Sequence, residues 1–529
     1  MAGEFEVTTL DLGILVGYLI LSRIVPLWLT QGQTEDADSF FLGGRNFIWP
    51  LIGFSLFATN MSGASFIGLA SAGYNQGVSV YSYEWMAAVI LIFFIFFILP
   101  FYLRSGVFTL PEFLEKRYDV RSRRTFSGVN LFFNMFIDAA GALYAGGVVV
   151  TTLFPEVPLW IGILGLALLA GILSIFGGLG AVVISDTIQA VVLIIGGIIV
   201  AIAAYMAIPS WSAVTAAAPE GALSIVQPVD DPNLPWPGLF TGVLIVGIYF
   251  WTTNQLIVQR TLGAKSLNHG RWGSIFAGFL KLPILFIMIL PGTMAIVLYP
   301  DIGNPDQIFP TLVFDLLPVG LRGVILAALV AAITSTVDSI LNSASTMVTM
   351  DFVKPLNPEI TQKQLVRIGQ IVTTVALVVA VAWAPQIQYF PTLWDYLQSV
   401  LSYTTPPIVV TFLGGILWSR ANRHGAFFTL IIGIPLGAVG LVANEGMQVF
   451  DIQFLYAAGI SFVLSAILFV VVSLATAPPP QEKIEELTWR RELWEAETRD
   501  LEGVPLWQNY RYQSILLFLT TAAIVIWFW

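Results

Sequence analysis

Cysteine is absent from the 529-residue sequence, histidine occurs only twice, and charged residues make up only 11%. Without cysteine the chain has no disulfide, no thiolate metal site and no thiol nucleophile. The two histidines, His269 and His424, lie in basic stretches predicted to be loops, which argues against a histidine-rich metal centre. A soluble domain usually carries about a quarter charged residues, so this composition excludes a soluble protein.

The chain is instead rich in long apolar runs. Hydrophobic residues make up 57% of the chain. Runs of roughly 20 of them, the length that crosses a hydrocarbon core of about 30 Å as a helix, recur from Leu10 to Trp529. These runs predict an all-α polytopic membrane protein with about 14 transmembrane helices. The predicted spans are 8–30, 48–76, 78–103, 125–153, 158–178, 181–208, 237–261, 274–298, 319–353, 366–389, 391–418, 424–443, 453–474 and 512–529.

Lysine and arginine predict the orientation, because short loops rich in them stay in the cytoplasm. When the spans alternate across the membrane, all of the 23 basic residues except Arg23, Lys281 and Arg322 fall on one face. That face is predicted to be cytoplasmic, which places both termini on the outer side of the cell (inner) membrane. Residues 475–511 then lie inside. Their charged residues are compatible with a short surface helix, although a solvated linker is the preferred interpretation; these residues are Glu485, Glu486, Arg490, Arg491 and Glu495.

Two of the spans look interrupted. The second contains the polar and small residues from Thr59 to Ser65, and the seventh contains Gly242, Gly247 and the polar run from Thr252 to Gln255. Spans broken at corresponding positions of two halves are typical of inverted-repeat transporters, which bind their solutes at the breaks near the midplane. The alternative is that both are unbroken interior helices with small residues for close packing.

Five ionisable residues fall inside the spans, where each costs roughly 3 kcal/mol or more and needs a partner or a function. For any one of them the alternative is an internal ion pair that fixes the helix bundle. As a set they favour transport. They are Glu84, Asp138, Asp186, Lys281 and Asp338.

The ninth span is dense in hydroxyl groups. Ser335, Asp338 and Ser339 share one helix face, and Thr336 lies beside them. Their oxygens suit a hard cation, although a transmembrane hydroxyl often bonds only its own helix. Asp186 is expected to meet Asp338 across the bundle. Two ionised carboxylates there would repel each other, so we expect a bound cation or a shared proton between them.

At these residues the chain resembles the sodium:solute symporter family, and within it the sodium/glucose and sodium/galactose cotransporter branch. The resemblance runs from Phe40 to Ala426. It is carried by five ordered blocks, which are Phe40–Arg45, Ser82–Met86, Thr109–Arg117, Gln259–Ser266 and Asp395–Ser399.

The resemblance implies a leucine-transporter-type core of five plus five helices in inverted repeat, with additional N- and C-terminal helices. It divides the chain into 1–47, an N-terminal helix and cytoplasmic loop; 48–208, the first repeat; 209–236, an external loop; 237–418, the second repeat; 419–474, two further helices; 475–511, the cytoplasmic linker; and 512–529, the last helix.

The resemblance also implies two cation sites. One Na⁺ would lie between the broken second span and the ninth span, held by positions that match Ala58, Met61, Ala332, Ser335 and Thr336. Some relatives have a second Na⁺, whose matching positions here are Asp186, Ser335, Asp338 and Ser339. Asp338 replaces a hydroxyl of these relatives, which would strengthen cation binding or admit a proton. We expect two coupling cations.

For the sugar pocket of the family, the matching positions are Asn60, Ser65, Glu84, Phe250, Trp251, Lys281 and Gln398. The chain departs from the family at three positions. Ser65 stands where relatives have Gln or His, Phe250 where they have a gate-forming Tyr, and Gly247 where they have a polar contact. We expect these changes to enlarge the site and to remove polar groups. Asp138 falls where relatives vary, and it either lines the pathway or pairs locally.

The sequence therefore predicts a Na⁺-coupled symporter that imports a sugar or polyol by alternating access, with the lipid bilayer as its surroundings. We expect neither an enzyme nor a nucleic-acid partner, and the sequence indicates no oligomeric state. One alternative is a Na⁺ symporter of another solute, namely sialic acid, a carboxylate or an amino acid. Another is a transporter-derived sensor or channel.

Overall fold

A computed structural model describes residues 8–31, 37–61, 63–389 and 393–529. Ser62, inside the first predicted break, lies outside these ranges. The described residues form helices without a β-strand, and only Phe47 with Ala264 and Gln227 with Pro235 make isolated bridges. The chain is therefore all-α over these ranges, as its composition predicts.

Within the described ranges, ten helices are long and apolar enough to cross a membrane, and three bent helix pairs bring the number of candidate spans to 13. The stretch 159–171 is a shorter apolar helix, so the predicted count of fourteen stays a prediction. In chain order we label them α1 Thr9–Leu29; α2a Trp49–Asn60 and α2b Ser65–Asn75; α3 Gly77–Phe97; α4 Val120–Thr151; α5 Leu159–Gly171; α6 Gly178–Ala207; α7a Leu239–Thr253 and α7b Gln255–Leu262; α8 Leu267–Leu298; α9 Leu321–Leu356; α10 Gln362–Tyr389; α11a Tyr396–Thr404 and α11b Pro406–Leu417; α12 Arg423–Gly446; α13 Phe454–Ala475; and α14 Tyr510–Trp527.

Short helices lie between these spans. Several begin at a side-chain cap, such as Thr109, whose hydroxyl accepts a hydrogen bond from the backbone of Glu112. The short helices are Ala37–Leu42, Leu99–Ser105, Leu110–Arg117, Trp211–Ala217, Ile308–Leu316 and Arg491–Asp500.

Helix α9 is the centre of the bundle. In its most apolar stretch 94% of the residues are buried, against 17% in α1, whose large apolar side chains face outward. Helix α9 packs against α1, α4, α6 and α10. The hydroxyl-rich sequence of α9 is therefore enclosed by protein, while α1 lies at the periphery.

A glycine separates α5 from α6. The helical stretch Leu159–Ala207 is interrupted at Gly178, where φ is 60° and ψ is −170°. A β-carbon at Gly178 would also lie 2.7 Å from the carbonyl oxygen of Phe40. Residues other than glycine rarely adopt this conformation, so the chain turns at Gly178, between the predicted spans 158–178 and 181–208.

Helix α2b and helix α8 meet at two glycines. A β-carbon at Gly73 would lie 2.4 Å from the carbonyl oxygen of Ile289, and one at Gly292 would lie 2.1 Å from that of Ala70. Because backbone atoms cannot retract as a flexible side chain does, both positions require glycine. The crossing fixes the second half of the broken helix α2 against α8.

The charged segment before α14 packs on the helix bundle. The backbone N–H of Trp489 donates to the carbonyl of Ile416 at 2.7 Å, and Arg271 pairs with Glu497 at 2.5 Å. The helix in this segment is Arg491–Asp500. The preferred interpretation of this segment as a solvated linker is therefore wrong, because backbone and charge contacts hold it against α8 and α11b.

Candidate functional site

Helix α2 is broken, as predicted, and its halves meet at 57°. α2a ends at Asn60, and Met61 leaves the helical region with φ −81° and ψ 59°. The hydroxyl of Ser65 donates to the carbonyl oxygen of Asn60 at 2.6 Å, so a side chain serves a carbonyl at the helix end. The carbonyl end of a helix favours a nearby cation.

Helix α7 is broken at Asn254, which has φ −78° and ψ 121°, and its halves meet at 44°. The side-chain oxygen of Asn254 accepts from the backbone N–H of Leu256 at 2.9 Å and caps α7b. The polar run from Thr252 to Gln255 thus marks a true break. Helix α11 is also bent, by 49°, which the sequence analysis missed. The signal is Pro406, whose ring nitrogen cannot donate within a helix.

A cavity lies among α2, α3, α4, α7, α9 and α11. Of the seven residues predicted for the solute pocket, six line it: Asn60, Ser65, Glu84, Phe250, Trp251 and Gln398. Lys281 lies behind the lining. The other lining residues are Thr59, Tyr83, Ala87, Ile90, Asp138, Ala142, Val243, Val246, Gly247, Leu256, Thr336, Leu397 and Leu401. The structure brings the predicted pocket residues together, although their role in binding a solute stays a prediction.

Glu84 and Lys281 form a buried ion pair at the wall of this cavity. Lys281 Nζ lies 2.6 Å from Glu84 Oε2, and it also donates to the side-chain oxygen of Asn60. The two side chains are 6% and 1% exposed. Because Lys281 is enclosed and engaged with both partners, the carboxylate of Glu84, rather than the ammonium group, faces the cavity.

Aromatic rings form another wall. Phe250 and Trp251 lie in the π-helical turn Tyr249–Thr253 just before the break of α7, and their rings meet edge to face at 5.5 Å. The Lys281 ammonium lies 5.4 Å from the Trp251 ring centroid. A ring beside hydrogen-bonding groups provides a surface for the apolar face of a sugar.

Gly247 does not enlarge the site, contrary to the prediction. A β-carbon built on Gly247 would lie 2.4 Å from Cδ1 of Ile90. The side chain of Ile90, from α3, therefore occupies the space that a larger residue at position 247 would take. The change at Gly247 removes a polar group without creating room.

Two further polar groups line the cavity. The side-chain oxygen Oε1 of Gln398 is buried and has no hydrogen-bond partner among the described residues. Asp138 also lines the cavity, from a π-helical turn at Asn134–Ala139. Of the two interpretations of Asp138, the structure therefore supports a position on the pathway.

The residues predicted for the first Na⁺ are distributed over α2a and α9, which pack together. Ala58, Met61 and Ala332 are buried. The hydroxyl oxygen of Thr336 is buried and has no hydrogen-bond partner in the described part of the chain, while Ser335 donates to Asp186 Oδ1. Thr336 lines the same cavity as Asn60, the last residue of α2a, and an unsatisfied hydroxyl beside a broken helix fits a cation ligand.

Asp186 lies in a fully buried polar cluster. Arg260, from α7b, approaches it at 3.1 Å and donates to the hydroxyl of Ser339 at 2.5 Å. Ser55 donates to the same carboxylate at 2.5 Å. The structure thus brings together Asp186, Ser335 and Ser339, but the positive charge among them is the guanidinium of Arg260.

Asp338 points to a different partner. Arg23 of α1 lies 3.6 Å from it and donates to Thr334, one helical turn earlier on α9. Each carboxylate thus has an arginine partner in this conformation, so charge balance alone does not require a cation or proton between Asp186 and Asp338, and the second cation site stays a prediction. The sequence analysis missed both arginines as functional residues. The signal was present, since a basic residue inside a span needs a partner as much as an acidic one does.

The sequence of the chain is similar to those of known proteins. The model of the sodium:solute symporter family matches residues 40–433. The bovine sodium/myo-inositol cotransporter 2 is 34% identical over 90% of this chain and 78% of its own length. The rabbit sodium/glucose cotransporter 1 is 31% identical over 93% of this chain and 83% of its own length.

A solved structure supports the fold. It is described as the substrate-bound, outward-open state of a Na⁺-coupled sialic acid symporter, and it matches with a TM-score of 0.77 at 23% identity. The match covers 90% of this chain and 99% of that one. The leucine-transporter-type core expected from the sequence is confirmed.

Proposed function

The chain belongs to the sodium:solute symporter family, and from that membership we propose that it imports a sugar or polyol together with Na⁺ by alternating access. It is a multi-pass membrane transporter and not an enzyme. Relatives named for myo-inositol and for glucose support a neutral polyhydroxylated solute.

The observation that carries the choice of solute is the polarity of the cavity. Its lining presents the acceptor oxygens of Glu84, Asp138 and Gln398 beside the ring of Trp251. Hydroxyl groups donate to such acceptors, and the apolar face of a sugar ring packs on an aromatic ring. We assign Asn60, Ser65, Phe250 and Lys281 to the same solute site, the last through its hold on Glu84.

Na⁺ is the co-transported ion, and we place it at the main-chain oxygens of Ala58, Met61 and Ala332 with the hydroxyls of Ser335 and Thr336. The free hydroxyl of Thr336 supports this assignment. Thr336 also lines the solute cavity, so ion and solute would meet at one residue. Each Na⁺ that moves inward down a potential of about 100 mV supplies about 2.3 kcal/mol, or roughly 50-fold accumulation of solute.

A second cation at Asp186, Ser335, Asp338 and Ser339 would have to displace a guanidinium. In the present conformation Arg260 donates a hydrogen bond to Ser339, and Arg23 lies 3.6 Å from Asp338. The second site is therefore proposed only for a conformation in which Arg260 has withdrawn from Ser339.

We propose the same topology as the sequence predicts: both termini outside the cell (inner) membrane, and residues 475–511 in the cytoplasm. The contact between Glu497 and Arg271 would then lie on the cytoplasmic face. Labelling of single cysteines introduced into this naturally cysteine-free chain tests the arrangement.

An anionic solute, such as sialic acid or another carboxylate, is disfavoured. In the described part of the chain no lysine or arginine lines the cavity, and the nearest ammonium, on Lys281, already pairs with Glu84. A carboxylated solute would therefore meet acceptor oxygens without a free cation.

The test is uptake into proteoliposomes of a panel of labelled sugars and cyclitols, with and without an inward Na⁺ gradient. We expect gradient-dependent accumulation of at least one neutral member. Equal uptake with and without the gradient would indicate a channel, and binding without uptake would indicate a sensor; either result would contradict symport.

A further inference from the structure

Five carboxylates within the spans of this protein have basic partners. Asp11 pairs with Arg322, Glu84 with Lys281, Asp186 with Arg260, Asp338 with Arg23 and Asp351 with Arg123, at distances between 2.6 and 3.6 Å. This arrangement is expected, because an unpaired charge in a span costs roughly 3 kcal/mol or more.

Asp138 differs from these five. Among the side chains that the structure describes within residues 8–31, 37–61, 63–389 and 393–529, no basic group lies within 4.0 Å of the Asp138 carboxylate. None of these side chains donates a hydrogen bond to it. Two tyrosines, Tyr249 and Tyr396, interact electrostatically with Asp138, but their hydroxyls donate elsewhere. Tyr249 donates to the side-chain oxygen of Asn130, and Tyr396 donates to the carbonyl oxygen of Phe136. Among the described residues, Asp138 therefore lacks the basic partner that the other five carboxylates have.

The position of Asp138 shows where a partner can come from. Asp138 lines the solute cavity together with residues of α3 and α7. Its turn is π-helical, a distortion that is frequent at functional sites. A partner that arrives through the cavity must be the solute or an ion that accompanies it.

A bare metal cation is the weaker candidate. It requires several oxygen ligands, whereas the described α4 and α11 residues that line the cavity with Asp138 offer only one further acceptor, Oε1 of Gln398, and are otherwise apolar at Ala142, Leu397 and Leu401. An ammonium group on a larger solute needs fewer acceptors, since the rest of the solute is held by other contacts. The charges facing the cavity also favour a cationic solute, because Lys281 already neutralises Glu84, while the ionised form of Asp138 would be stabilised by a cation that the solute supplies.

We propose that Asp138 is the counter-ion of a protonated amine on the transported solute, so that the protein takes amino sugars or amino cyclitols in preference to the matching neutral polyols. The same carboxylate excludes carboxylated sugars by repulsion. This assignment rests on the proposed sugar or polyol symport and specifies the solute class of the same site.

The experiment uses the full-length protein in proteoliposomes with Na⁺-driven uptake of labelled glucose. Unlabelled glucose, glucosamine and glucuronate compete, at a pH at which the amine is protonated; if myo-inositol is the better substrate, its amino-deoxy and carboxylated analogues replace them. We expect glucosamine to inhibit at about tenfold lower concentration than glucose, since charge-assisted hydrogen bonds are about twice as strong as neutral ones. Glucuronate should inhibit least.

Variants then test whether Asp138 is the residue that causes the preference for the amine. Asp138→Asn should abolish the advantage of glucosamine over glucose and strengthen inhibition by glucuronate, while Asp138→Glu should retain the order of the wild type. Asp301→Asn, which removes an exposed carboxylate that is not part of the cavity lining, is the matched control and should leave the order unchanged.

The outcomes separate the two proposals. If glucose accumulates with Na⁺ but glucosamine competes no better than glucose in the wild type, the role of Asp138 is refuted and symport stands; this result needs no variant to fold. An amine preference that persists in Asp138→Asn also refutes it. If no neutral or amino compound of the panel accumulates with Na⁺, the proposed function itself fails.

Discussion

The guanidinium of Arg23 lies 3.6 Å from the carboxylate of Asp338, measured from Nη1 to Oδ2. This pair joins α1, a peripheral helix, to α9, the most enclosed helix of the bundle. The same arginine donates to Thr334, so it contacts two successive turns of α9. The sequence suggested that the negative charge of Asp338 binds a cation, whereas in the structure Arg23 compensates this charge.

Substitution of one member of this pair should lower the stability of the protein more than substitution of both. Arg23→Met leaves a carboxylate buried without its arginine, and breaking a buried ion pair in this way costs about 3–5 kcal/mol. We expect a marked fall in thermal stability in detergent for Arg23→Met, with substantial recovery in Arg23→Met/Asp338→Ser. A double variant no more stable than the single one would contradict the pairing.

The Glu84–Lys281 pair should govern the apparent affinity for solute. Glu84→Gln preserves the shape of the side chain but removes the charge that faces the cavity and leaves the Lys281 ammonium without its counter-ion. Hydrogen bonds to charged groups contribute about 1.5–3 kcal/mol, so KM should rise by about 10-fold to 100-fold. Initial uptake rates against sugar concentration measure the change. An unchanged KM would remove Glu84 from the solute site.

Thr336 should set the affinity for Na⁺. Thr336→Ala removes a buried hydroxyl that has no partner among the described residues, and we expect the Na⁺ concentration for half-maximal uptake to rise about tenfold. Thr336→Ser keeps the oxygen and should stay close to the wild type. The matched control is Thr349→Ala on the same helix, whose hydroxyl donates to the carbonyls of Ser345 and Thr346 within that helix. Equal Na⁺ dependence of Thr336→Ala and Thr349→Ala would refute the assignment.

The crossing of α2b and α8 predicts a stability effect independent of transport. Gly73→Ala and Gly292→Ala each place a β-carbon within 2.4 Å of a backbone carbonyl oxygen, and overpacking of this kind costs about 1–3 kcal/mol or more. Gly165→Ala, where the space around the β-carbon is open, is the control. We expect lower melting temperatures for the first two variants alone. Three equal melting temperatures would show that the helices do not approach so closely.

The spans and their breaks could be predicted because they depend on local composition. Residues Thr252 to Gln255 interrupt an apolar run, and Asn254 then caps the next helix. The bend of α11 carried an equally local signal in Pro406, which was overlooked. Gly178 likewise marked the link between α5 and α6 through its backbone freedom.

The partners of the buried charges could not be predicted in the same way. Arg23 and Thr334 are 311 residues apart, and only the packing of α1 against α9 brings them together. The same holds for Gly247, whose missing side chain suggested empty space that Ile90 from another helix fills. Sequence identifies which residues need a partner in the membrane, and the tertiary structure determines which partner each one has.

Coupling of solute accumulation to the Na⁺ gradient tests the central claim most directly. The measurement is the steady ratio of internal to external labelled sugar in proteoliposomes, with an inward Na⁺ gradient and again after an ionophore has dissipated it. The account predicts a ratio well above one that falls to one when the gradient is lost. A ratio that stays at one under both conditions, for every sugar and cyclitol of the panel, would contradict it.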